Sequence, residues 1–246
     1  MNMRSLKSKT LFALSLVLAF GWGYLASRGE FFPFAQIEAV RDYFVARPDV
    51  TPEPSAYWRE KVSFFDTFRA PASVVMIGDS LTDGAEWAEM FPGAGVVNRG
   101  IDGDTIGGVL LRMEGIKSVH ARKAFVMIGI NDFGKEDRSV DAVFADYRKV
   151  VSLLQQSGTK VFIQSTVPCN EAKAGWIFCA AIQGKIKELN RRLAGLASGK
   201  VAYIDITKGL AGEGGLKADL TYDGVHLNGQ GYRIWKDEIS KFVLAD

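Results

Sequence analysis

Ser80, Asp223 and His226 carry side chains that together could cleave an ester. Ser80 closely follows the apolar run SVVMIG at 73–78, and Asp223 stands three residues before His226. A hydroxyl is a weak nucleophile at neutral pH, and it becomes reactive when a neighbouring base removes its proton. A carboxylate that orients one imidazole nitrogen leaves the other nitrogen free to be that base. The residues predict acyl transfer, with Ser80 as nucleophile, His226 as base and Asp223 as the orienting acid.

Two further turn residues are suited to stabilising negative charge on the attacked carbonyl oxygen. Gly100 ends the run AGVVNRG, and Asn131 follows the run AFVMIGI. We expect the N–H groups of Ser80 and Gly100 and the side-chain amide of Asn131 to bind this oxyanion. Taken singly, the Gly-Asp-Ser tripeptide, the glycine and the Asn-Asp pair would each fit an ordinary turn. The catalytic interpretation depends on all of them meeting in space.

Short apolar runs alternate with longer amphipathic stretches from about residue 72 onward. Runs that are apolar on both faces are typical of buried parallel strands. Strands are predicted at 73–78, 94–100, 124–130, 160–167 and 200–206. Apolar residues at helical spacing predict helices at 141–156, 180–196 and 231–243. The alternation predicts an α/β fold, a three-layer α/β/α sandwich with a five-stranded parallel sheet. In open α/β sheets, ligands bind beyond the carboxyl ends of the strands. Ser80, Gly100 and Asn131 stand at or just after the ends of predicted strands.

In order and spacing, four clusters resemble the blocks that define the SGNH or GDSL hydrolases. They are GDSL at 78–81, Gly100, GIND at 129–132 and DGVH at 223–226. The stretches NRGIDGDTIGGVLLRM and DGVHLNGQGY are similar to the branch that includes platelet-activating-factor acetylhydrolase. The resemblance implies a flavodoxin-like SGNH hydrolase fold, hydrolysis of acyl esters, and no metal or other cofactor. It also implies that Gly100 and Asn131 are the oxyanion donors.

The amino terminus has the pattern of an export or membrane segment. Three cations, at Arg4, Lys7 and Lys9, precede an uncharged stretch of 18 residues from Thr10 to Ser27. Such a stretch is just long enough to span a bilayer as a helix. The alternatives are an uncleaved N-terminal membrane helix, a cleaved signal peptide, or a buried helix of a soluble protein. The first two place the rest of the chain outside the cytoplasm, because the basic end stays inside.

Three regions follow from this pattern. Residues 1–28 are predicted to be the signal-anchor or signal peptide, and residues 29–70 a connector with short helices at 37–44 and 57–68. Residues 71–246 are predicted to form the hydrolase domain. We expect it to be anchored in the inner membrane and to face the periplasm or the cell exterior, or to be secreted if the N-terminal segment is cleaved.

Charge and cysteine content narrow the possible partners. The formal net charge of +2 includes the three N-terminal cations, so the remaining chain carries −1, and no nucleic-acid partner is indicated. The two cysteines, Cys169 and Cys179, could form a disulfide outside the cytoplasm or remain two buried thiols. Their spacing and the two histidines of the chain do not match a zinc site.

The expected substrate is an acyl ester, short-chain such as acetyl, on a carbohydrate or lipid of the cell envelope. Trp87, Phe91, Trp176 and Phe178 could line the pocket, or each could instead pack in the core or a loop. Two other functions stay open: an O-acyltransferase that uses the same site, and a non-catalytic anchored module that binds carbohydrate. Fold and triad alone do not name the substrate.

Overall fold

The computed structural model describes residues 55–175 and 179–245. The fold below is that of the unit Pro54–Asp246. Three predictions lie outside the described residues. They are the helix at 37–44, the N-terminal membrane segment, and the pocket positions of Trp176 and Phe178.

A five-stranded parallel sheet runs through the unit in the order β2-β1-β3-β4-β5, which confirms the predicted sheet. Its strands are β1 Val74–Gly78, β2 Val96–Gly100, β3 Lys123–Met127, β4 Lys160–Gln164 and β5 Val201–Ile204. Four of these strands lie within their predicted ranges, and β3 begins at Lys123, one residue before the predicted start. The third ends at Met127, earlier than predicted, because Gly129 (φ 131°) turns the chain out of the sheet.

Helices cover both faces of the sheet and complete the three predicted layers. They are α1 Ala56–Thr67, α2 Ser80–Asp83, α3 Trp87–Met90, α4 Ile106–Leu111, α5 Met113–Lys117, α6 Ile130–Gly134, α7 Val140–Gln156, α8 Cys179–Ala194, α9 Thr207–Leu210 and α10 Gly229–Val243. A two-stranded hairpin, β6 Ala211–Gly212 and β7 Gly215–Leu216, and a 3₁₀ turn, Ala218–Leu220, precede the last helix. The very short helices and this hairpin have no clear periodicity, and the sequence pattern does not predict them.

The central strand β1 shows how its residues build two cores at once. Successive side chains of a strand point to opposite faces. Val75 and Ile77 join the cluster under α4, α5, α7 and α8, whereas Val74 and Met76 join the cluster under α2, α3 and α10. A strand buried on both sides must be apolar throughout, and this is why the run SVVMIG is continuous.

Helix α1 begins one residue before the predicted helix at 57–68. Hydrogen bonds and an ion pair join it to residues at the carboxyl end of the sheet. Ser55 caps it by accepting from the Trp58 N–H. Trp58 Nε1 donates to Asp104 at 3.0 Å, and Lys61 pairs with Asp83 at 2.6 Å. The connector as predicted from the sequence therefore ends in a helix that contacts the carboxyl end of the sheet.

Cys169 and Cys179 form a disulfide, which decides between the two alternatives that the sequence left open. The bond joins the segment that follows β4 to the first turn of α8. Within the described ranges, no helix is both long and apolar enough to cross a membrane.

Candidate active site

Ser80 stands at the start of α2, immediately beyond the carboxyl end of β1. Asp79 caps this short helix because its side chain accepts from the Leu81 N–H at 3.1 Å. A side chain at Gly78 would overlap Thr82 and the backbone of β3, and one at Gly100 would overlap the backbone of α2. Two glycines thus allow the helix to lie directly on the sheet, which holds Ser80 half-buried at the sheet edge.

The structure brings Ser80, His226 and Asp223 together in one hydrogen-bonded chain. His226 Nε2 lies 2.9 Å from Ser80 Oγ, and His226 Nδ1 lies 2.7 Å from Asp223 Oδ2. Asp223 also accepts from the backbone N–H groups of Val225 and His226. Burial alone would raise the pKa of Asp223, but the hydrogen bonds from His226 and Val225 outweigh it and lower that pKa. The ionised carboxylate is therefore suited to hold the imidazole with Nε2 facing the hydroxyl.

A second contact joins the two distant parts of the site. Helix α10 begins three residues after His226 and is capped by Asn228, whose side chain accepts from Gln230 and Gly231. On this helix Tyr232 donates its hydroxyl to the Leu81 carbonyl at 2.9 Å, next to Ser80. The imidazole and the serine are consequently held by the same helix-to-helix packing.

The predicted oxyanion donors Asn131 and Gly100 differ in whether their N–H hydrogens are already used in other hydrogen bonds. Asn131 is buried, and its Nδ2 donates one hydrogen to the Asp104 carbonyl at 3.0 Å, which leaves the second hydrogen. The Gly100 N–H already donates to Asn98 Oδ1 at 2.8 Å. The role of Gly100 as an oxyanion donor stays a prediction, and it requires Asn98 to give up this hydrogen.

Gly103 is a further candidate donor that the sequence pattern did not single out. It has a positive φ of 73°, and its N–H makes no hydrogen bond to the part of the chain that the structure describes. Its neighbour Asp104 is the residue whose carbonyl Asn131 contacts. The second glycine in the turn IDGDT was the available signal, because a positive φ is the conformation that favours glycine.

Buried acids support the loops around the site. Asp132 accepts from the Ile106 N–H and from Arg138, and Asp104 pairs with Arg112 at 2.8 Å. Burial raises the pKa of Asp132 to about 7, although the Ile106 and Arg138 interactions oppose the rise. Asp79 is fully buried, and its Oδ2 has no partner among the described residues. Burial raises the pKa of Asp79 to about 7, and the nearby acids add to the rise.

The structure decides between the two alternatives for the aromatic residues Trp87 and Phe91, which were pocket lining and core packing. Trp87 and Phe91 are each 2% exposed and pack in the core, with Trp87 against Trp235, so they do not line a pocket. The alternative, core packing, is correct for both. Tyr222 is 66% exposed, and its ring lies nearly parallel to that of His226 at 5.9 Å between centroids.

A cavity of about 650 Å³ lies elsewhere, between α8, the end of β5 and the hairpin β6–β7. Asp205, Thr207 and Asn190 are among its lining residues, and Ser80, Asp223 and His226 are not. The three residues predicted to act together therefore do not belong to this cavity.

The sequence matches the GDSL-like lipase/acylhydrolase family over residues 76–234. This range contains Ser80, Asn131, Asp223 and His226.

Solved structures share the fold. A protein described as an acylhydrolase from Bacteroides fragilis has 24% identity and a TM-score of 0.67, and the match covers 77% of this chain and 98% of that one. An acetyl-xylooligosaccharide esterase from Geobacillus Stearmophilus, solved as a mutant, has 20% identity and a TM-score of 0.55, with 72% and 96% covered. At these identities the likeness is one of fold.

A curated relative is the N-acylneuraminate cytidylyltransferase of Streptococcus agalactiae. It is 24% identical over 185 residues, which make up 74% of this chain and 41% of the relative. The chain therefore spans about two fifths of the length of the curated relatives that it matches.

Proposed function

The chain belongs to the GDSL-like lipase/acylhydrolase family, and we propose that it is a carboxylic ester hydrolase in which Ser80 is the nucleophile, His226 the general base and Asp223 the acid that orients the base. The observation that carries the proposal is the continuous hydrogen-bonded chain from Ser80 Oγ through both imidazole nitrogens to Asp223. Membership in a hydrolase family favours an enzyme over the non-catalytic module.

In the first half of the reaction, Ser80 Oγ attacks the ester carbonyl while His226 Nε2 takes the hydroxyl proton. Charge that develops on the carbonyl oxygen is bound by the Ser80 N–H and the free hydrogen of Asn131, with the Gly103 N–H as a further donor. The tetrahedral adduct then expels the alcohol, which receives the proton from His226, and the acyl group stays on Ser80. Asp223 stabilises the imidazolium throughout without taking its proton.

In the second half, water replaces the alcohol. His226 removes a proton from the water, whose oxygen attacks the acyl-serine carbonyl. The same donors bind the second oxyanion, and its collapse returns the proton to Ser80 Oγ and releases the carboxylic acid. Both halves need only one base that moves its proton between neighbouring oxygens.

We propose that the acyl group is short, acetyl above all, and that the alcohol is a carbohydrate or lipid of the cell envelope. Trp87 and Phe91 are committed to the core, so they are not available to hold a long acyl chain. Tyr222 presents an exposed ring beside His226, and an aromatic ring offers an apolar face to a sugar and a polar tip to its hydroxyls. The fold shared with an acetyl-xylooligosaccharide esterase supports a carbohydrate ester.

Hydrolysis of p-nitrophenyl esters from acetyl to octanoyl tests both parts of the proposal. We expect the acetyl ester to have the highest kcat/KM, and Ser80→Ala to abolish turnover without changing thermal unfolding, because Ser80 fills little core volume. A fluorophosphonate should label the wild-type chain on the peptide that contains Ser80 and should leave Ser80→Ala unlabelled.

Turnover that survives in Ser80→Ala with unchanged unfolding would remove Ser80 from the mechanism. A higher kcat/KM for octanoyl than for acetyl would instead leave the nucleophile in place and overturn the short acyl group. Adding a sugar acceptor separates hydrolysis from transfer, because a transferase would form acylated acceptor faster than free acid.

We further propose that the enzyme works outside the cytoplasm and is held to the membrane by residues 1–28. The basic start and the apolar stretch that follows support this location, as does the disulfide between Cys169 and Cys179. Fractionation of cells that express the full chain should recover it with carbonate-washed membranes, and external protease should digest it in spheroplasts. Recovery of the whole chain in the cytosol, protected from that protease, would contradict the proposal.

A further inference from the structure

The Thr221 side chain is bonded across the turn that carries Asp223 and His226. Thr221 is 2% exposed, and its hydroxyl donates to the His226 carbonyl at 2.6 Å. The same oxygen accepts from the Gly224 N–H at 2.9 Å. One hydroxyl therefore uses both its donor and its acceptor capacity to join the two sides of the turn.

Thr221 is itself fixed from outside the turn. We call residues 169–175, which follow β4 and include Cys169, the support loop. Lys173 of this loop donates to the Thr221 carbonyl at 2.5 Å, and the Asn170 N–H donates to the Gly224 carbonyl at 2.7 Å. A side chain at Gly224 would overlap the backbone of Ala174. The loop consequently lies in direct contact with the turn and limits how far it can move.

Other bonds also close this turn, because the Asn228 N–H donates to the Leu220 carbonyl at 3.0 Å and Asn228 Nδ2 donates to the Asp219 carbonyl at 2.7 Å. Asp223 bonds to the N–H groups of Val225 and His226, which are themselves inside the turn. The Thr221 hydroxyl is a side-chain contact that holds the carbonyl of His226 relative to residues before the turn. Loss of this contact would let the imidazole shift relative to Ser80, and a shift of about 1 Å can cost about a hundredfold in rate.

We propose that the Thr221 hydroxyl is a positioning group for hydrolysis, which holds the Asp223–His226 turn so that His226 Nε2 stays in reach of Ser80. The proposal rests on the proposed roles of Ser80 and His226. Thr221 touches no reacting atom, so its effect falls on the chemical step and not on the binding of the ester.

Thr221→Val, which keeps the shape and removes the hydroxyl, tests the proposal. We expect kcat for p-nitrophenyl acetate to fall about a hundredfold while KM changes by less than about threefold. Thr221→Ser restores the hydroxyl and should recover kcat to within about threefold of wild type. The rate of fluorophosphonate labelling at Ser80 should fall in parallel with kcat, because both report activation of the serine by His226.

Thr159→Val is the matched control. Thr159 is also buried, at 7% exposed, and its hydroxyl donates to the Ala121 carbonyl at 3.0 Å at the start of β4. Thr221→Val loses two buried hydrogen bonds and Thr159→Val loses one, so both should unfold at lower temperature, and only Thr221→Val should lose kcat. If Thr221→Val does not fold, Thr221→Cys takes its place, because a thiol of similar size is a weaker donor and should give an intermediate kcat.

Equal kcat in wild type, Thr221→Val and Thr159→Val would overturn the positioning role, and so would equal kcat in wild type and Thr221→Cys. These outcomes are distinct from failure of the proposed function, which Ser80→Ala reports. If Ser80→Ala is active, the serine mechanism is wrong. If Ser80→Ala is inactive and Thr221→Val is fully active, only the proposed role of Thr221 is wrong.

Discussion

Ser80 lies within hydrogen-bond distance of a histidine that stands 146 positions later in the chain. The distance of 2.9 Å between Ser80 Oγ and His226 Nε2 is that of a hydrogen bond, so a proton can pass without any large movement. Asp223 is ionised at neutral pH because the hydrogen bonds it accepts lower its pKa despite burial. At this scale, the protonation of one imidazole should control the reaction.

We expect kcat/KM for p-nitrophenyl acetate to rise with pH between 5 and 8. Protonated His226 cannot accept the proton of Ser80, so the rate should increase as the imidazole loses its proton. Because the pKa of Asp223 is lowered, this carboxylate is already ionised at pH 5 and adds no second rise in that range. A flat profile from pH 5 to 8 in the wild-type enzyme would show that His226 is not the base.

Asp79 should make the protein less stable as the pH rises. Its pKa is raised from 3.8 to about 7 in the folded state, so between those values the folded chain keeps a proton that the unfolded chain has lost. The free energy of unfolding therefore falls with rising pH across this window and changes no further above it.

Asp79→Asn removes this titration. Relative to wild type, we expect the free energy of unfolding of the variant to increase from pH 4 to pH 8, as measured by urea unfolding at several pH values. The exposed Asp237→Asn serves as control and should follow the wild-type curve. A pH-independent difference between Asp79→Asn and wild type would show that Asp79 ionises in the folded protein as it does in the unfolded chain.

At the scale of elements, the disulfide should matter for both stability and activity. It closes a loop with a separation of ten residues, and it anchors the support loop that contacts the turn of Asp223 and His226. Changing Cys169 and Cys179 together to serine should lower the free energy of unfolding by about 2–3 kcal/mol and should reduce kcat.

Chemical denaturation and p-nitrophenyl acetate kinetics, each with and without a thiol reductant, measure the two effects. Reductant should move the wild-type enzyme toward the double variant and should leave the double variant unchanged. If the reduced wild-type enzyme kept full activity and stability, the disulfide would contribute neither to the stability of the fold nor to the position of the support loop.

The sequence predicts those elements whose residues are buried in a regular pattern. Strand β1 is apolar on both faces and α7 has apolar residues at helical spacing, so both were predictable. The hairpin β6–β7 and the short helix α6 follow from glycine conformations and buried polar bonds, which a periodic pattern does not contain. The strand order β2-β1-β3-β4-β5 depends on which crossovers pack best, and no residue pattern specified it.

For the site, position after a strand was sufficient to select Ser80 and Asn131, and a carboxylate three residues before a histidine was sufficient to select Asp223 and His226. The positive φ of Gly103 and the bond between Gly100 and Asn98 are properties of one local backbone path. Tertiary contacts determine this backbone path. The sequence alone therefore could not show whether Gly100 or Gly103 has a free N–H group for the oxyanion.

At the scale of the whole molecule, the residues of the site lie within the unit Pro54–Asp246. We therefore expect a chain that begins at residue 54 to hydrolyse p-nitrophenyl acetate with kcat/KM within about twofold of the full chain. Its location in the cell should change, because the N-terminal apolar stretch is gone. A folded but inactive shortened chain would show that residues before 54 contribute to the site.

The contact between Tyr232 and Leu81 joins helix α10 to the first turn after β1. During synthesis, Ser80 emerges long before His226, so a partly made chain holds a hydroxyl without its imidazole partner. Under the proposed mechanism, ester cleavage can start only when the last helix has docked and brought His226 to Ser80. The onset of turnover would then report the docking of α10 onto α2.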